Sequence, residues 1–322
     1  VIDTPPQTVY LSGNDQEVIQ VHFGNSPKGS LLVKKVDSVT KQPLSDVEFL
    51  VTDSKGNVVG DANGKFVTDS TGSFTVSGID PSTTLIVKEV RAKDGYILDD
   101  VPQTAVINAG QTVTLEFRNQ PMGSLLIRKV CSVNPSVTLA NAEFKVAYSD
   151  GSLIGDSNGV YRSDENGEVR IEGLIPGKSV VVTETKAPAG FLIDTQSQTI
   201  VIQAGKTVTL TMKNQPRGQL IIQKRDRQTN QVLPGAQFRV TTAAGCEVGL
   251  DGVIGTATLT SNGIFTTDSQ GEIRITNLAP GAYVLSEIKA PDGYVMDSPS
   301  TNVVIGPNGD TQTIIITNTP KA

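Results

Sequence analysis

The sequence has few aromatic residues, one histidine and two cysteines, and each shortage excludes a kind of chemistry. Tryptophan is absent, and aromatic residues make up 5% of the 322 positions. The single imidazole of His22 cannot form a histidine metal cluster or a repeated Ser-His-Asp arrangement. Two cysteines, Cys131 and Cys246, cannot build a disulfide framework. We therefore expect no metal ion, no cofactor and no histidine-dependent enzyme.

Long apolar runs and an excess of positive charge are also missing. No run approaches the roughly 20 apolar residues that a membrane helix needs, and the net charge is −6. So acidic a chain binds polyanions poorly, which argues against nucleic acid and against insertion into anionic membranes. The chain does contain 31 glycines and 17 prolines, together with abundant threonine and valine. This composition is typical of an all-β protein with many turns.

The chain repeats itself with a period of about 94–95 residues. The segments that begin at Gly29, Gly123 and Gly218 match one another, and each repeat closes on Asn-x-Pro. We predict three complete domains and a fourth, truncated upstream repeat of which only the last two strands are present. The boundaries are 28–121, 122–216 and 217–322 for the domains and 1–27 for the remnant. Their Pro-x-Gly junctions are too short for flexible tethers, so we expect the domains to stack end to end as a rod.

Within each repeat, period-2 alternation of apolar residues is interrupted at short intervals by turn residues, as in β-sandwiches. Three of these turns follow an Asp-x-x-Gly pattern and look superficially like calcium loops. They lack the EF-hand spacing and its terminal bidentate glutamate, so tight hairpin turns are the favoured interpretation. The three segments are residues 69–72, 164–167 and 268–271.

One lysine, one glutamate and one asparagine in each repeat fall on apolar strand faces. Lys35 shares its face with Leu31 and Val33, because side chains alternate along a strand. The glutamate continues the inward face of a penultimate segment, and the asparagine continues that of the last strand. The three sets are Lys35, Glu89 and Asn119; Lys129, Glu184 and Asn214; and Lys224, Glu287 and Asn318.

Burying such groups is costly unless they are paired, and two interpretations satisfy that requirement. The first is a structural ion pair with an amide hydrogen bond. The second is covalent chemistry, because burial disfavours charge and a neutral lysine amine is a nucleophile. A protonated glutamic acid could polarise the asparagine carboxamide and give a proton to the departing nitrogen. Ammonia would leave, and an amide would join the lysine Nζ to the asparagine Cγ.

The segment after each glutamate resembles the E-box of Gram-positive pilins and adhesins. Residues 184–191 read ETKAPAGF and residues 287–294 read EIKAPDGY, whereas residues 89–96 read EVRAKDGY with Lys93 in place of the usual proline. Together with the opening Lys-x-Asp and the closing Asn-x-Pro, each repeat resembles a CnaB-type domain, also described as SpaA-like or prealbumin-like. The resemblance implies an inverse Ig-like β-sandwich.

The resemblance also implies a spontaneous isopeptide bond between lysine and asparagine, assisted by the glutamic acid. Two positions depart from the pattern without removing a member of a triad: Cys131 stands where an aspartate is expected, and Phe191 stands where the E-box has tyrosine. The implied bonds are Lys35–Asn119, Lys129–Asn214 and Lys224–Asn318, with Glu89, Glu184 and Glu287 as the assisting acids.

The leading functional hypothesis is a structural stalk segment of a Gram-positive surface adhesin or pilin-like protein, located at the extracellular, cell-wall-attached surface. Its partners would be neighbouring repeats of a longer chain. The alternative is an adhesin module in which one repeat binds a host matrix protein or glycan. An insertion in the third repeat, residues 243–252, is the place to look, although a longer hairpin without a partner is the simpler interpretation. Its candidate binding residues are Gly245, Cys246, Glu247, Leu250 and Asp251.

Overall fold

The computed structural model describes residues 2, 4–13, 16, 18–60, 63–155, 158–249, 252–253 and 263–322. All regular secondary structure in these residues is β-strand, and no helix occurs among them. None of the described residues therefore belongs to a helix long and apolar enough to cross a membrane. The alternation of apolar and polar residues and the abundance of turn-forming glycine account for this all-strand character.

The first two repeats each contain seven strands at matching positions. In the first repeat they are β1 (Gly29–Asp37), β2 (Glu48–Asp53), β3 (Lys65–Val67), β4 (Ser73–Ile79), β5 (Thr84–Arg91), β6 (Gln103–Val106) and β7 (Thr112–Asn119). In the second they are β8 (Gly123–Cys131), β9 (Glu143–Tyr148), β10 (Val160–Arg162), β11 (Glu168–Leu174), β12 (Ser179–Lys186), β13 (Gln198–Val201) and β14 (Thr207–Asn214).

The third repeat has counterparts of these seven strands and three short additional ones among the described residues. They are β15 (Gly218–Asp226), β16 (Gln237–Thr242), β17 (Val248–Gly249), β18 (Gly252–Val253), β19 (Ile264–Thr266), β20 (Glu272–Leu278), β21 (Gly281–Lys289), β22 (Tyr294–Met296), β23 (Ser300–Ile305) and β24 (Thr311–Pro320). The insertion predicted from the sequence supplies β17 and β18, which pair as a hairpin.

Each repeat folds as two sheets, which confirms the predicted class of tandem β-sandwich domains. In the first repeat the strand orders are β4-β1-β7 and β3-β2-β5-β6, and the second repeat has the equivalent β11-β8-β14 and β10-β9-β12-β13. The third has β20-β15-β24-β22 and β19-β16-β21-β23. The first strand runs parallel to the last one, so that Lys35 is opposite Phe117 and Asp37 is opposite Asn119.

The core of each repeat lies between its two sheets. In the first repeat Leu31, Val33 and Phe49 are fully buried or nearly so, with the inward residues of β5 packed against them. The third repeat repeats this arrangement, and Val248 from its insertion joins the same cluster. These are the faces that the alternation predicted to point inward.

The described chain divides into two compact units. One comprises residues 1–125, 171–178 and 201–208, and the other comprises residues 126–170, 179–200 and 209–322. The first repeat lies in the former unit, the third lies in the latter, and the second contributes to both. Each lysine, glutamate and asparagine set lies within a single unit.

The predicted strand pair of residues 1–27 forms no strand ladder among its described residues. An isolated antiparallel bridge joins Ile2 and Asn25, and the Gly24 N–H donates a hydrogen bond to the Thr4 hydroxyl. Phe23 is 65% exposed.

Candidate functional site

The backbone of the buried lysine forms hydrogen bonds through both its N–H and its carbonyl group. In the first repeat, Lys35 N donates a hydrogen bond to Gly72 O over 2.7 Å, and Lys35 O accepts one from Leu44 N over 2.9 Å. Gly72 has a φ of +71° and comes so close that a Cβ there would lie 2.7 Å from Lys35 O. The glycine therefore satisfies both the turn and the close approach. Gly167 and Gly271 occupy the same position beside Lys129 and Lys224.

The aspartates of these turns are used within the turns themselves. Asp69 Oδ1 accepts hydrogen bonds from the backbone N–H of Thr71 and of Ser73, over 2.8 and 3.2 Å. Asp164 and Asp268 do the same in the later repeats. This is the local bonding that an Asx-type turn needs.

In the first repeat the lysine, glutamate and asparagine form a closed, buried triangle. Lys35 Nζ donates hydrogen bonds to Glu89 Oε2 over 2.6 Å and to Asn119 Oδ1 over 2.5 Å. The remaining side joins Asn119 Nδ2 to Glu89 Oε1 over 2.7 Å. All three side chains are 0% exposed. One carboxylate thus contacts both the amine and the nitrogen of the carboxamide.

The third repeat reproduces this triangle. Lys224 Nζ donates to Glu287 Oε2 over 2.9 Å and to Asn318 Oδ1 over 2.6 Å. Asn318 Nδ2 donates to Glu287 Oε1 over 2.7 Å. The longer third repeat therefore keeps the same three contacts as the first.

The second repeat brings the same three groups together in a different pattern. Asn214 Nδ2 donates to Glu184 Oε2 over 2.7 Å, and the backbone N–H of Asp194 donates to the same oxygen over 2.9 Å. Lys129 Nζ forms an ion pair with Glu184 Oε1 over 3.1 Å. Among the described residues, Lys129 Nζ, Glu184 Oε1 and Asn214 Oδ1 have no hydrogen-bond partner.

A phenylalanine that the sequence reasoning missed forms an apolar wall at each lysine. Lys35 Nζ lies 5.9 Å from the ring centroid of Phe49 and also from that of Phe117. Phe49 is recognisable in retrospect, because Phe144 and Phe238 repeat it at the same position of the second strand. Lys129 Nζ lies 5.7 Å from the ring centroid of Phe144, and Lys224 Nζ lies 5.7 Å from that of Phe238.

Burial lowers the pKa of each of the three lysines. The charge of the glutamate opposes this change, as does its hydrogen bond in the first and third repeats and, more weakly, a neighbouring aspartate. Desolvation is the larger effect for Lys35, Lys129 and Lys224. A lowered pKa increases the fraction of neutral amine, which is the form with a nucleophilic lone pair. The aspartates, each ten residues after its glutamate, are Asp99, Asp194 and Asp297.

A second contact that the sequence reasoning missed ties the first strand to the E-box, and we call it the Asp–Tyr pair. It consists of Asp37 and Tyr96 in the first repeat and of Asp226 and Tyr294 in the third. In each case the tyrosine hydroxyl donates a hydrogen bond to the aspartate Oδ2 over 2.9 Å. The two positions that depart from the pattern in the second repeat are the two members of this pair.

The predicted binding loop of the third repeat is only partly described. Gly245 is exposed in a turn, and Cys246 and Glu247 are half-buried, whereas Leu250 and Asp251 lie outside the described residues. Val248 between them is fully buried in the core. The described part of the insertion is therefore anchored to the domain by packing, and Cys246 is a free thiol.

Comparison with known proteins is consistent with the repeat structure. No curated protein matches the chain significantly. Among solved structures, the TIE protein of Bacillus anthracis is 25% identical with a TM-score of 0.44, over 91% of this chain and 51% of that one. The chain thus spans about half the length of that relative. A streptococcal ancillary pilin is 19% identical with a TM-score of 0.38, over 91% of this chain and 99% of that one.

The major pilin subunit BcpA of Bacillus cereus is 16% identical with a TM-score of 0.38, over 91% of this chain and all of that one. The family model of the SpaA prealbumin-like fold domain matches residues 29–121, 123–216 and 218–320, which together make up most of the sequence. These ranges agree with the three repeats that the sequence and the sheets define. The chain therefore belongs to the SpaA prealbumin-like fold family and contains three consecutive copies of its domain.

Proposed function

We propose that the chain is a structural stalk segment of a Gram-positive cell-surface adhesin or pilin-like protein, and that a Lys–Asn isopeptide bond closes each of its three domains. The observation that carries the proposal is the buried lysine, glutamate and asparagine set that recurs in every repeat. An ion pair alone does not account for the asparagine whose Nδ2 donates to the buried glutamate in all three repeats. Replacing a buried ion pair by apolar residues is, moreover, often neutral or stabilising.

The first repeat supplies each group that the reaction needs. The neutral Lys35 Nζ attacks Asn119 Cγ, and a C–N bond forms while the carboxamide oxygen takes up negative charge. Glu89 accepts a proton from the amine through Oε2 and delivers one to Nδ2 through Oε1, the two atoms that it contacts at 2.6 and 2.7 Å. The C–Nδ2 bond then breaks and ammonia departs. The net change is amine plus carboxamide to substituted amide plus ammonia, with Glu89 restored.

Positioning supplies what free amines and amides lack in water. The fold holds Lys35 Nζ 2.5 Å from Asn119 Oδ1, so the amine lies within reach of the adjacent carbonyl carbon. Effective concentrations in such arrangements can reach roughly 10⁵ M and higher. Each site would react once, so the reaction is a maturation step and not enzymatic turnover.

The topology gives the bond a mechanical role. Because β1 and β7 are parallel neighbours, a bond between Lys35 and Asn119 lies at the same end of both strands. Tension applied to the two ends of the repeat would pass along β1, across the amide and out through the end of β7. Residues 36–118 would be excluded from this path and therefore sheltered from unfolding by force.

The bond would also stabilise the domain in solution. It would close loops of 84 residues in the first repeat and 94 in the third. With the loop-entropy relation used for disulfides, each closure is worth about 4–5 kcal/mol of unfolding free energy. An amide cannot be reduced, which suits an exterior protein with two unpaired cysteines.

Intact-mass spectrometry of the purified chain tests the proposal. Three bonds remove three molecules of ammonia, about 51 Da, from the 34.0 kDa expected for the sequence. A mass equal to that of the sequence would refute it.

Direct binding to a host matrix protein or glycan through residues 243–252 stays a hypothesis. Pull-down experiments with the chain, with and without this loop, test it: binding that disappears with the loop would support it, and binding that is equal or absent in both would contradict it.

A further inference from the structure

The Asp–Tyr pair lies next to the lysine, glutamate and asparagine without being one of the three groups that the proposed reaction uses. Asp37 follows Lys35 by two residues on the same buried face and lies opposite Asn119 in the parallel register of β1 and β7. The backbone of Tyr96 bridges to Pro121, two residues beyond Asn119. The pair therefore links the strand that carries the amine to the strand that carries the carboxamide, directly after the point where they must meet.

The aspartate of this pair is fixed through both of its oxygens. Asp37 Oδ1 accepts hydrogen bonds from the backbone N–H of Val39 and Thr40, over 2.6 and 2.8 Å, while Oδ2 accepts the Tyr96 hydroxyl. Although burial raises the pKa of Asp37, these hydrogen bonds outweigh it and lower the pKa overall. A charged acceptor held in this way forms a strong hydrogen bond with little freedom to turn.

The second repeat lacks both members of the pair. A cysteine thiol and a phenylalanine ring, those of Cys131 and Phe191, cannot form this hydrogen bond. The same repeat is the one in which Lys129 Nζ does not hydrogen-bond the asparagine oxygen and in which the backbone N–H of Asp194 occupies Glu184 Oε2. The two repeats that contain the Asp–Tyr pair therefore also have a hydrogen bond from lysine to asparagine, and the repeat without the pair lacks that bond.

We infer that the Asp–Tyr pair positions the asparagine carboxamide against the lysine amine, and that the second repeat consequently forms its isopeptide bond more slowly than the other two. This inference rests on the proposed isopeptide reaction. The aspartate and the tyrosine touch no reacting atom, so they are positioning residues that act through the ends of β1 and β7. Because near-attack geometry is sensitive to small displacements, losing one fixed contact of this kind slows the reaction by roughly 3- to 10-fold.

The experiment follows the three bonds in the same molecule. The full chain is synthesised in a cell-free system, samples are denatured at timed intervals, and cross-linked peptides of each repeat are quantified by mass spectrometry after proteolysis. The double variant C131D/F191Y gives the second repeat the pair, and D37C/Y96F removes it from the first. The third repeat is unchanged in both variants and serves as an internal clock. Protease resistance of the samples gives the folded fraction to which each rate is normalised.

We expect the second bond to lag in the unaltered chain and C131D/F191Y to bring its rate up to that of the third. In D37C/Y96F the first bond should slow by a similar factor, and Asp37→Asn, which keeps an oxygen acceptor for the hydroxyl, should slow it less than Asp37→Cys. If D37C/Y96F fails to fold, the gain in the second repeat still decides the matter. Equal rates in all three repeats, or no acceleration by C131D/F191Y, would overturn the inference while leaving the proposed function intact. A chain that forms no bond in any repeat would overturn the proposed function itself.

Discussion

Replacing Glu89 by glutamine separates the proposed chemistry from a structural ion pair. The glutamine side chain has nearly the same shape and its one oxygen can still accept a hydrogen bond from Lys35 or from Asn119, but it cannot carry a proton from one to the other. We therefore expect the first repeat to fold without its bond while the other two repeats form theirs. Glu116 in the same repeat provides the matched control, since its side chain is 45% exposed and pairs with Arg118 at the surface.

The expected magnitudes follow from the structure. The mass deficit of E89Q should fall by one ammonia, about 17 Da after correction for the substitution itself. The lost closure of 84 residues should lower the unfolding free energy of the first repeat by about 4–5 kcal/mol. Most domains are stable by only about 5–15 kcal/mol, so this is a large fraction of the total.

Intact-mass spectrometry measures whether the bond has formed. Proteolysis at increasing urea concentrations shows which repeat unfolds first, because the released fragments are identified by mass. The first repeat of E89Q should be cleaved at lower urea than that of E116Q. A full mass deficit in E89Q would show that Glu89 is not needed for the reaction. An equally reduced mass deficit in E116Q would show that the effect is not specific to the buried acid.

Two further predictions concern the same site. The rate of bond formation in the first repeat should be low at acidic pH, where the amine is protonated, and should rise to a plateau as Lys35 loses its proton, because the neutral amine is the nucleophile. Because burial lowers the pKa of Lys35, the midpoint of this rise should lie below the ordinary lysine value of 10.5; timed mass spectrometry across pH checks this, and a rise centred at or above that value would contradict it. Gly72→Ala should slow this bond and destabilise the repeat by more than Gly56→Ala, since both glycines have positive φ but only a Cβ at Gly72 would meet Lys35 O. Positive φ costs an alanine about 1–2 kcal/mol in either place, so equal effects in urea unfolding would contradict the role of the close approach.

Most of the fold could be predicted from the sequence because the sequence has two periodicities, the repeat of about 94–95 residues and the alternation of apolar residues along each strand. The repeated segments mark the domains. Alternation along a strand places the side chains of Leu31, Val33 and Lys35 on the same, inward face, whatever the partner strands are. The same alternation identified the lysine, glutamate and asparagine of each site. Whether those three groups make a bond or only an ion pair stays a prediction until mass is measured.

Other features depended on which strands become neighbours, and spacing along the chain does not report that. Cys131 and Phe191 stood in the sequence as two separate departures, 60 positions apart. Only the parallel pairing of the first and last strands, with the E-box loop beside them, shows that they replace the two members of one hydrogen bond. The altered hydrogen bonding of Glu184 and the ring of Phe49 over Lys35 were hidden for the same reason.

The sequence by itself thus determined the number of domains, their strand faces and the identity of the buried polar groups, because these follow from local periodicity. The tertiary structure decided which atoms of those groups meet and at what distances, because hydrogen-bond geometry depends on strand register and on side chains brought together from distant parts of the chain. The second repeat illustrates the difference: its triad has the same three residue types as the others, and only its fold shows that Lys129 meets Glu184 without hydrogen-bonding Asn214.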